Sequence, residues 1–189
     1  MKPITIALSP GHTPTAPGAT RGNTSEYGLS SAVIGDLIHR LSKRGHTAHL
    51  IGSNSNSHQV KRINKIAPDI GLELHFNNIA SQPDMNGTMC LHYPGSNQGV
   101  RLSSALTISL SRILNTINRG IWPAYYQLNP KNDVITIVKD TNCPFVVVEP
   151  LYFSNDSDFE KIDIPALSIG LFDGIMEYWA GSGHVSEVG

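Results

Sequence analysis

Four side chains capable of hydrolytic chemistry stand at or beside the ends of apolar runs: His12, Glu26, His75 and Glu149. Two imidazoles and one carboxylate form a ligand set used by catalytic zinc, which leaves a fourth position for water. A second carboxylate next to such a set can act as a general base, because burial lifts a carboxyl pKa toward the range that base catalysis needs. Glu149 closes the run Phe145-Val-Val-Val148 and so lies against apolar surface, where a charge is costly unless paired. Each residue also has a plainer reading. His12 can be a loop histidine bonded to backbone, Glu26 a helix cap, His75 a satisfied histidine at the core edge, and Glu149 a satisfied strand-end carboxylate.

The elements that would position these four alternate along the chain. Apolar runs at Ile4–Leu8, Thr47–Ile51, Ile70–Leu74, Thr88–Tyr93, Val134–Val138 and Phe145–Val148 read as six strands. Helical spacing recurs between them. Leu29, Val33, Leu37, Ile38 and Leu41 share a face; Val60, Ile63 and Ile66 mark a short helix after a turn at residues 54–56. Leu102, Leu106, Leu110, Ile113 and Ile117 mark the longest one, and Leu167–Trp179 closes the fold. Asn23 with Glu26 three residues on predicts a capping box at the first helix, Gly45 a stop, and Asn155-Asp-Ser-Asp-Phe-Glu a capped helix start. Residues 13–24 and 119–133 read as irregular. The alternation predicts an α/β fold: a single three-layer domain with a mostly parallel, twisted sheet of about six strands and helices on both faces. The expected domain covers residues 1–180, with 181–189 a flexible tail. Ligands of such sheets lie beyond the carboxyl ends of the parallel strands. His12 follows the first strand, His75 closes the third, Glu149 closes the last, and Glu26 sits in the first turn of the first helix, where the helix dipole favours a carboxylate.

Composition excludes several classes. The 189 residues carry 14 Lys+Arg against 15 Asp+Glu, a net charge of −1, so no basic surface asks for nucleic acid. No run is long enough to span a bilayer, and Met1-Lys-Pro-Ile-Thr is too quickly polar for a signal peptide, so a soluble species made in the cytoplasm is expected. Cys90 and Cys143 lie far apart with no CxxC partner and are expected as free, buried thiols. The remaining histidines read as structural or exposed. His46 and His49 would face opposite sides of a strand, His39 lies on an outer helix face, His58 and His184 fall in polar segments, and His92 sits in a strand. Trp122, Tyr125 and Tyr126 either stack on a ligand or pack as a lid on the core.

Pro10-Gly11-His12, Glu26, Leu74-His75-Phe-Asn77 and Val148-Glu149-Pro-Leu-Tyr-Phe-Ser-Asn155 resemble, in order and spacing over about residues 3–180, the successive motifs of the zinc-dependent N-acetylmuramoyl-L-alanine amidases, the group of cell-separation amidases and many phage endolysins. The resemblance implies that His12, Glu26 and His75 bind one Zn²⁺. It further implies that Glu149 takes a proton from the attacking water and passes it to the leaving amine, cleaving the amide between N-acetylmuramic acid and L-alanine of the stem peptide. The implied partner is peptidoglycan, with the protein a monomer. Three positions depart from the family: Ser9 where Asp is usual, Thr13-Pro14 where a Gly-rich pair is usual, and Pro150 where an aliphatic residue is common. The usual Asp can orient the ligand histidine, which Ser9 does only weakly. Without a leader or wall-binding repeats, the expectation is a phage or prophage endolysin acting at the cell wall after release through a membrane pore. A zinc carboxypeptidase-like peptidase and a non-catalytic peptidoglycan-binding protein are the alternatives.

Overall fold

The structure, a computed structural model, describes residues 2–52, 55–125 and 133–182. Its centre is a six-stranded sheet. In chain order the elements are β1 (Thr5–Pro10), β2 (Thr20–Arg21), β3 (Thr24–Ser25), α1 (Glu26–Lys43), β4 (Thr47–Leu50), α2 (Asn56–Ile66), β5 (Ile70–Leu74), β6 (Thr88–His92), α3 (Asn97–Ile113), β7 (Asn118–Pro123), α4 (Thr136–Lys139), β8 (Phe145–Glu149), α5 (Asp156–Glu160) and α6 (Ile164–Gly181). The sheet order is β4-β1-β5-β8-β6-β7. β4, β1, β5 and β8 run parallel, β6 is antiparallel to β8, and β7 is parallel to β6.

Period-two alternation in the strands divides the core between the two faces. Ile6 and Leu8 of β1, Ile70, Leu72 and Leu74 of β5, and Val146 and Val148 of β8 pack against α1, α3 and α6. Ala7, Phe145 and Val147 point the other way, into a smaller cluster with Val60 and Ile63 of α2 and Ile137 and Val138 of α4. Helices therefore cover both faces, as the alternation predicts. By the same alternation Ser9, Glu73 and Glu149 belong to the α2 face, each two residues beyond a residue of that face.

Four expectations are corrected. Val134–Val138 is not a strand: Val134 makes one isolated bridge to Tyr125, and Thr136–Lys139 turns as a short helix that buries Ile137 and Val138. The sixth strand is instead β7, within the stretch read as irregular, at the sheet edge beside β6. The helix expected to be the longest, α3, has 17 residues against 18 each in α1 and α6, and it ends at Ile113, leaving Ile117 54% exposed. The cap of α1 is Ser25, whose Oγ accepts from Gly28 N, rather than Asn23. Asn23 lies in the turn of the small β2–β3 ladder. Cys90 is free and buried as expected, whereas Cys143 is free but only half-buried. The end of the expected tail, residues 183–189, lies outside the described residues, as does His184. Among the described residues no helix is long and apolar enough to cross a membrane.

Candidate active site

The carboxyl ends of β1, β5 and β8 and the first residue of α1 meet at one rim. β1 ends on Pro10, which has no N–H with which to continue a ladder. The chain turns there, Gly11 N donates to Leu74 O at 2.7 Å, and His12 adopts a left-handed backbone at φ 66. A non-glycine residue held in that region stores strain of the kind found at functional sites. Glycines let the turn close around the side chains: a Cβ on Gly11 would lie 2.6 Å from His75 Nδ1, and one on Gly18 2.5 Å from His12 Nε2 and 2.7 Å from Glu26 Oε2.

Because Ser25 takes the capping bond, the Glu26 carboxylate is free to point inward, where it is 3% exposed. Its Oε2 lies 2.9 Å from His12 Nε2, and its Oε1 3.0 Å from His75 Nδ1. Phe76 N and Ala19 N also donate to it. Burial alone would raise its pKa, but the hydrogen bonds from His12, His75 and Phe76 N outweigh this and hold it at about 2. His75 is likewise opposed by burial, yet the carboxylates of Glu26, Glu73 and Glu149 hold its pKa well above the usual imidazole value. One ligand atom from each of His12, Glu26 and His75 lies within 4.8 Å of the others. Two nitrogens and a carboxylate gathered so closely on a glycine-cleared rim suit a divalent cation.

Glu149 stands beside this trio. β5 and β8 pair Leu74 with Val148, and His75 N donates to Val148 O, so His75 and Glu149 follow one another across adjacent strands. Its Oε2 is buried without a hydrogen-bond partner among the described residues. Burial pushes its pKa up to about 8, with Glu26 and Glu73 adding to the rise and His75 opposing it. All four residues singled out in the sequence therefore occupy one site.

The sequence matches the Amidase_3 family, described as N-acetylmuramoyl-L-alanine amidase, over residues 6–177. The chain belongs to the N-acetylmuramoyl-L-alanine amidases. A search of the curated proteins found no match. Among solved structures, an N-acetylmuramoyl-L-alanine amidase from Clostridium difficile 630 is similar at 18% identity and TM-score 0.82, covering 96% of this chain and 99% of that one. The catalytic domain of the CD27L endolysin targeting Clostridia Difficile is similar at 20% identity and TM-score 0.76, covering 92% and 97%. Cwp6 from Clostridium difficile is similar at 19% identity and TM-score 0.82 over 94% of this chain, which spans only 29% of that protein. These likenesses establish an amidase fold.

Two grooves flank the amidase site. One, of about 320 Å³, is lined by Pro10, His12, Thr13, Pro14, Tyr27 and Gln59, so the departure at Thr13-Pro14 shapes its wall. The other, of about 310 Å³, is lined by Met85, Met89, Ile117, Arg119, Trp122 and Tyr152. Met89 pairs with Glu149 across β6 and β8, which sets this groove on the Glu149 side. Trp122 is 53% exposed and Tyr125 37% exposed, whereas Tyr126 lies outside the described residues. Pro150 accepts a hydrogen bond from Thr88 Oγ1 at 2.7 Å and ends the β8 ladder. His92 is buried, with Nδ1 on Tyr93 O, and is a core residue.

Two residues of the amidase escape sequence reasoning. Asp158 is fully buried and accepts from Gly87 N and Tyr152 N, pinning the loop after β8. Its signal was the Asn155 cap, whose Oδ1 accepts from Asp158 N. Glu73 is 9% exposed, with Oε2 3.3 Å from His75 Nε2. Its only signal was an acid inside an apolar strand.

Proposed function

We propose that this amidase binds one zinc ion through His12, Glu26 and His75 and hydrolyses the amide between N-acetylmuramic acid and L-alanine of the peptidoglycan stem peptide, acting as a monomer. The reading is carried by one observation: three ligand atoms within 4.8 Å of each other, beside a carboxylate whose Oε2 is buried and unpaired. Zinc, when bound, supplies a Lewis acid and lowers the pKa of its water to about 7. Glu149 supplies the proton transfers. A pKa pushed to about 8 leaves it close to the working pH, and positive charge at the neighbouring cluster draws its proton off. It then takes a proton from the attacking water and gives it to the leaving L-alanine amine. Among the described residues its buried Oε2 has no competing hydrogen bond to break first. The Trp122 groove offers an apolar wall on which a sugar ring or stem peptide can stack.

The test is a sacculus digest, with bound metal measured in the same preparation. An amidase releases whole stem peptides with a new L-alanine amine, at one zinc per chain. Peptides trimmed only at the far end would favour a carboxypeptidase, and pelleting with sacculi without soluble fragments would favour a binding protein. We further propose a lytic, endolysin-type use, in keeping with the fold shared with the CD27L catalytic domain. Turbidity loss of permeabilised Gram-negative cells tests that separately, and intact cells after complete digestion of isolated sacculi would overturn it.

A further inference from the structure

We infer that Glu73 is a positioning residue for His75: its carboxylate accepts from Nε2–H, so that Nδ1 is the nitrogen turned toward the cation. The inference rests on the metal-centre reading above and goes beyond it, because the ligand trio alone does not fix which nitrogen of His75 is used.

Its origin is the strand register. Ser9 and Glu73 are direct partners in the parallel β1–β5 ladder, so their side chains stand on the same face. Ser9 is fully buried and Glu73 is 9% exposed. An acid in Ile-Gly-Leu-Glu-Leu costs stability unless its oxygens are used. Both are. Oε2 faces His75 Nε2 at 3.3 Å, and Oε1 lies 3.3 Å from Ser9 Oγ. Ser9 Oγ can also donate to Pro10 O at 3.3 Å, and it accepts from Gln59 Nε2 of α2 at 3.0 Å. No Lys or Arg forms an ion pair with Glu73 among the described residues. The line Gln59, Ser9, Glu73, His75 thus ends on an imidazole, with no cation of its own.

The opposite side of the ring is equally constrained. Nδ1 lies 3.0 Å from Glu26 Oε1, inside the ligand trio, and the ring packs on Gly11 where a Cβ would clash at 2.6 Å. The His12 ring meets it edge-on, 4.9 Å between centroids. A ligand histidine whose second nitrogen donates to a carboxylate is fixed in tautomer and orientation, and loss of such a partner costs about 10- to 100-fold in metal affinity. Ser9 departs from the usual acid of the family, and here the acid stands one strand over. Ser9 hydrogen-bonds the carboxylate that Glu73 presents from β5.

Glu73→Gln and Glu73→Ala test this through zinc affinity by chelator competition and through nitrogen-15 NMR of labelled histidine. Both variants are expected to weaken zinc binding, by about 10- to 100-fold for Ala and less for Gln, whose amide oxygen can still accept. In the zinc-loaded parent, His75 is expected to carry zinc on Nδ1 and a slowly exchanging proton on Nε2; in Glu73→Ala that proton exchanges rapidly. Unchanged zinc affinity in both folded variants would overturn the inference. So would zinc on Nε2 in the parent, a measurement that needs no variant to fold. A parent that binds no zinc would instead defeat the metal-centre reading.

Discussion

On the proposed reading, Glu149 concentrates the chemistry of the site in one side chain. Its Oε2 is sealed from solvent without a partner among the described residues, and burial pushes its pKa to about 8. Replacing it by Gln preserves shape while removing the proposed base. Zinc content is therefore expected to stay at the parent level while kcat falls by about 10²- to 10⁴-fold, the usual contribution of general acid–base catalysis; turnover on purified muropeptides, with metal analysis alongside, checks both halves. The same substitution has a second consequence in the metal-free protein. The folded-state pKa is raised above the unfolded value of 4.5, so between there and about 8 the native state holds a proton that the unfolded chain has released. Stability then falls as pH rises through that window. Glu149→Gln removes this loss, so its stability relative to the metal-free parent should improve from pH 5 to pH 8 in denaturant titrations; a constant difference would contradict it. The meeting of His12, Glu26, His75 and Glu149 at one rim was legible in the sequence because His12, His75 and Glu149 follow or close apolar strands and Glu26 opens the first helix. Glu73 was not, since an acid within a strand shows its purpose only once the neighbouring strand supplies Ser9 at its register position and His75 has turned back over it.

Among the elements, α3 and α6 form the seam that carries the sheet on its larger core face. Gly170 and Gly174, one turn apart on α6, let the helix lie against Leu110 and Leu106 of α3: a Cβ on Gly174 would sit 2.9 Å from the Leu106 Cα. Backbone cannot move aside as a side chain can, so Gly174→Ala is expected to cost about 1–3 kcal/mol through overpacking. Gly35 is the counter-example. It lies exposed in the middle of α1 with nothing within 4 Å of an added Cβ, and Gly35→Ala should stabilise by about 0.5–1 kcal/mol through helix propensity alone. Chemical denaturation of the two variants should give opposite signs. The long amphipathic helices and buried parallel strands could be read from periodicity, which packing only reinforces. The exchange of β7 for Val134–Val138 could not. Val-Ile-Thr-Ile-Val is too short for periodicity to separate a strand from a turn of helix. β7, Asn-Arg-Gly-Ile-Trp-Pro, has a positive-φ glycine and no fully buried residue, so only its pairing with β6 makes it a strand. The α1 cap was misplaced by two residues because Asn23 and Ser25 both suit the position, and the β2–β3 turn claims Asn23.

At the scale of the whole molecule, the site exists only when distant segments meet. His12 and Glu26 come from the exit of β1 and the entry of α1, His75 from the end of β5, and Glu149 from the end of β8, more than seventy residues further along. An unfolded chain cannot gather these side chains as closely, so on the proposed reading zinc binding and folding would be coupled. A ligand that binds the native state alone stabilises it by about 2.7 kcal/mol at a hundredfold excess over Kd, or about 5–10 °C in Tm for a chain of this size. Chelation should therefore lower Tm by that order, and zinc should restore it along a logarithmic dependence on free metal. His75→Ala is expected to lose both the bound metal and the Tm response. Glu149→Gln should keep the response, because the residue stands beside the trio and outside it. The pair of variants separates the proposed holding of the ion from its use: a Glu149→Gln protein whose Tm ignored zinc would make Glu149 a ligand, and a parent whose Tm ignored zinc would defeat the proposed metal centre at His12, Glu26 and His75.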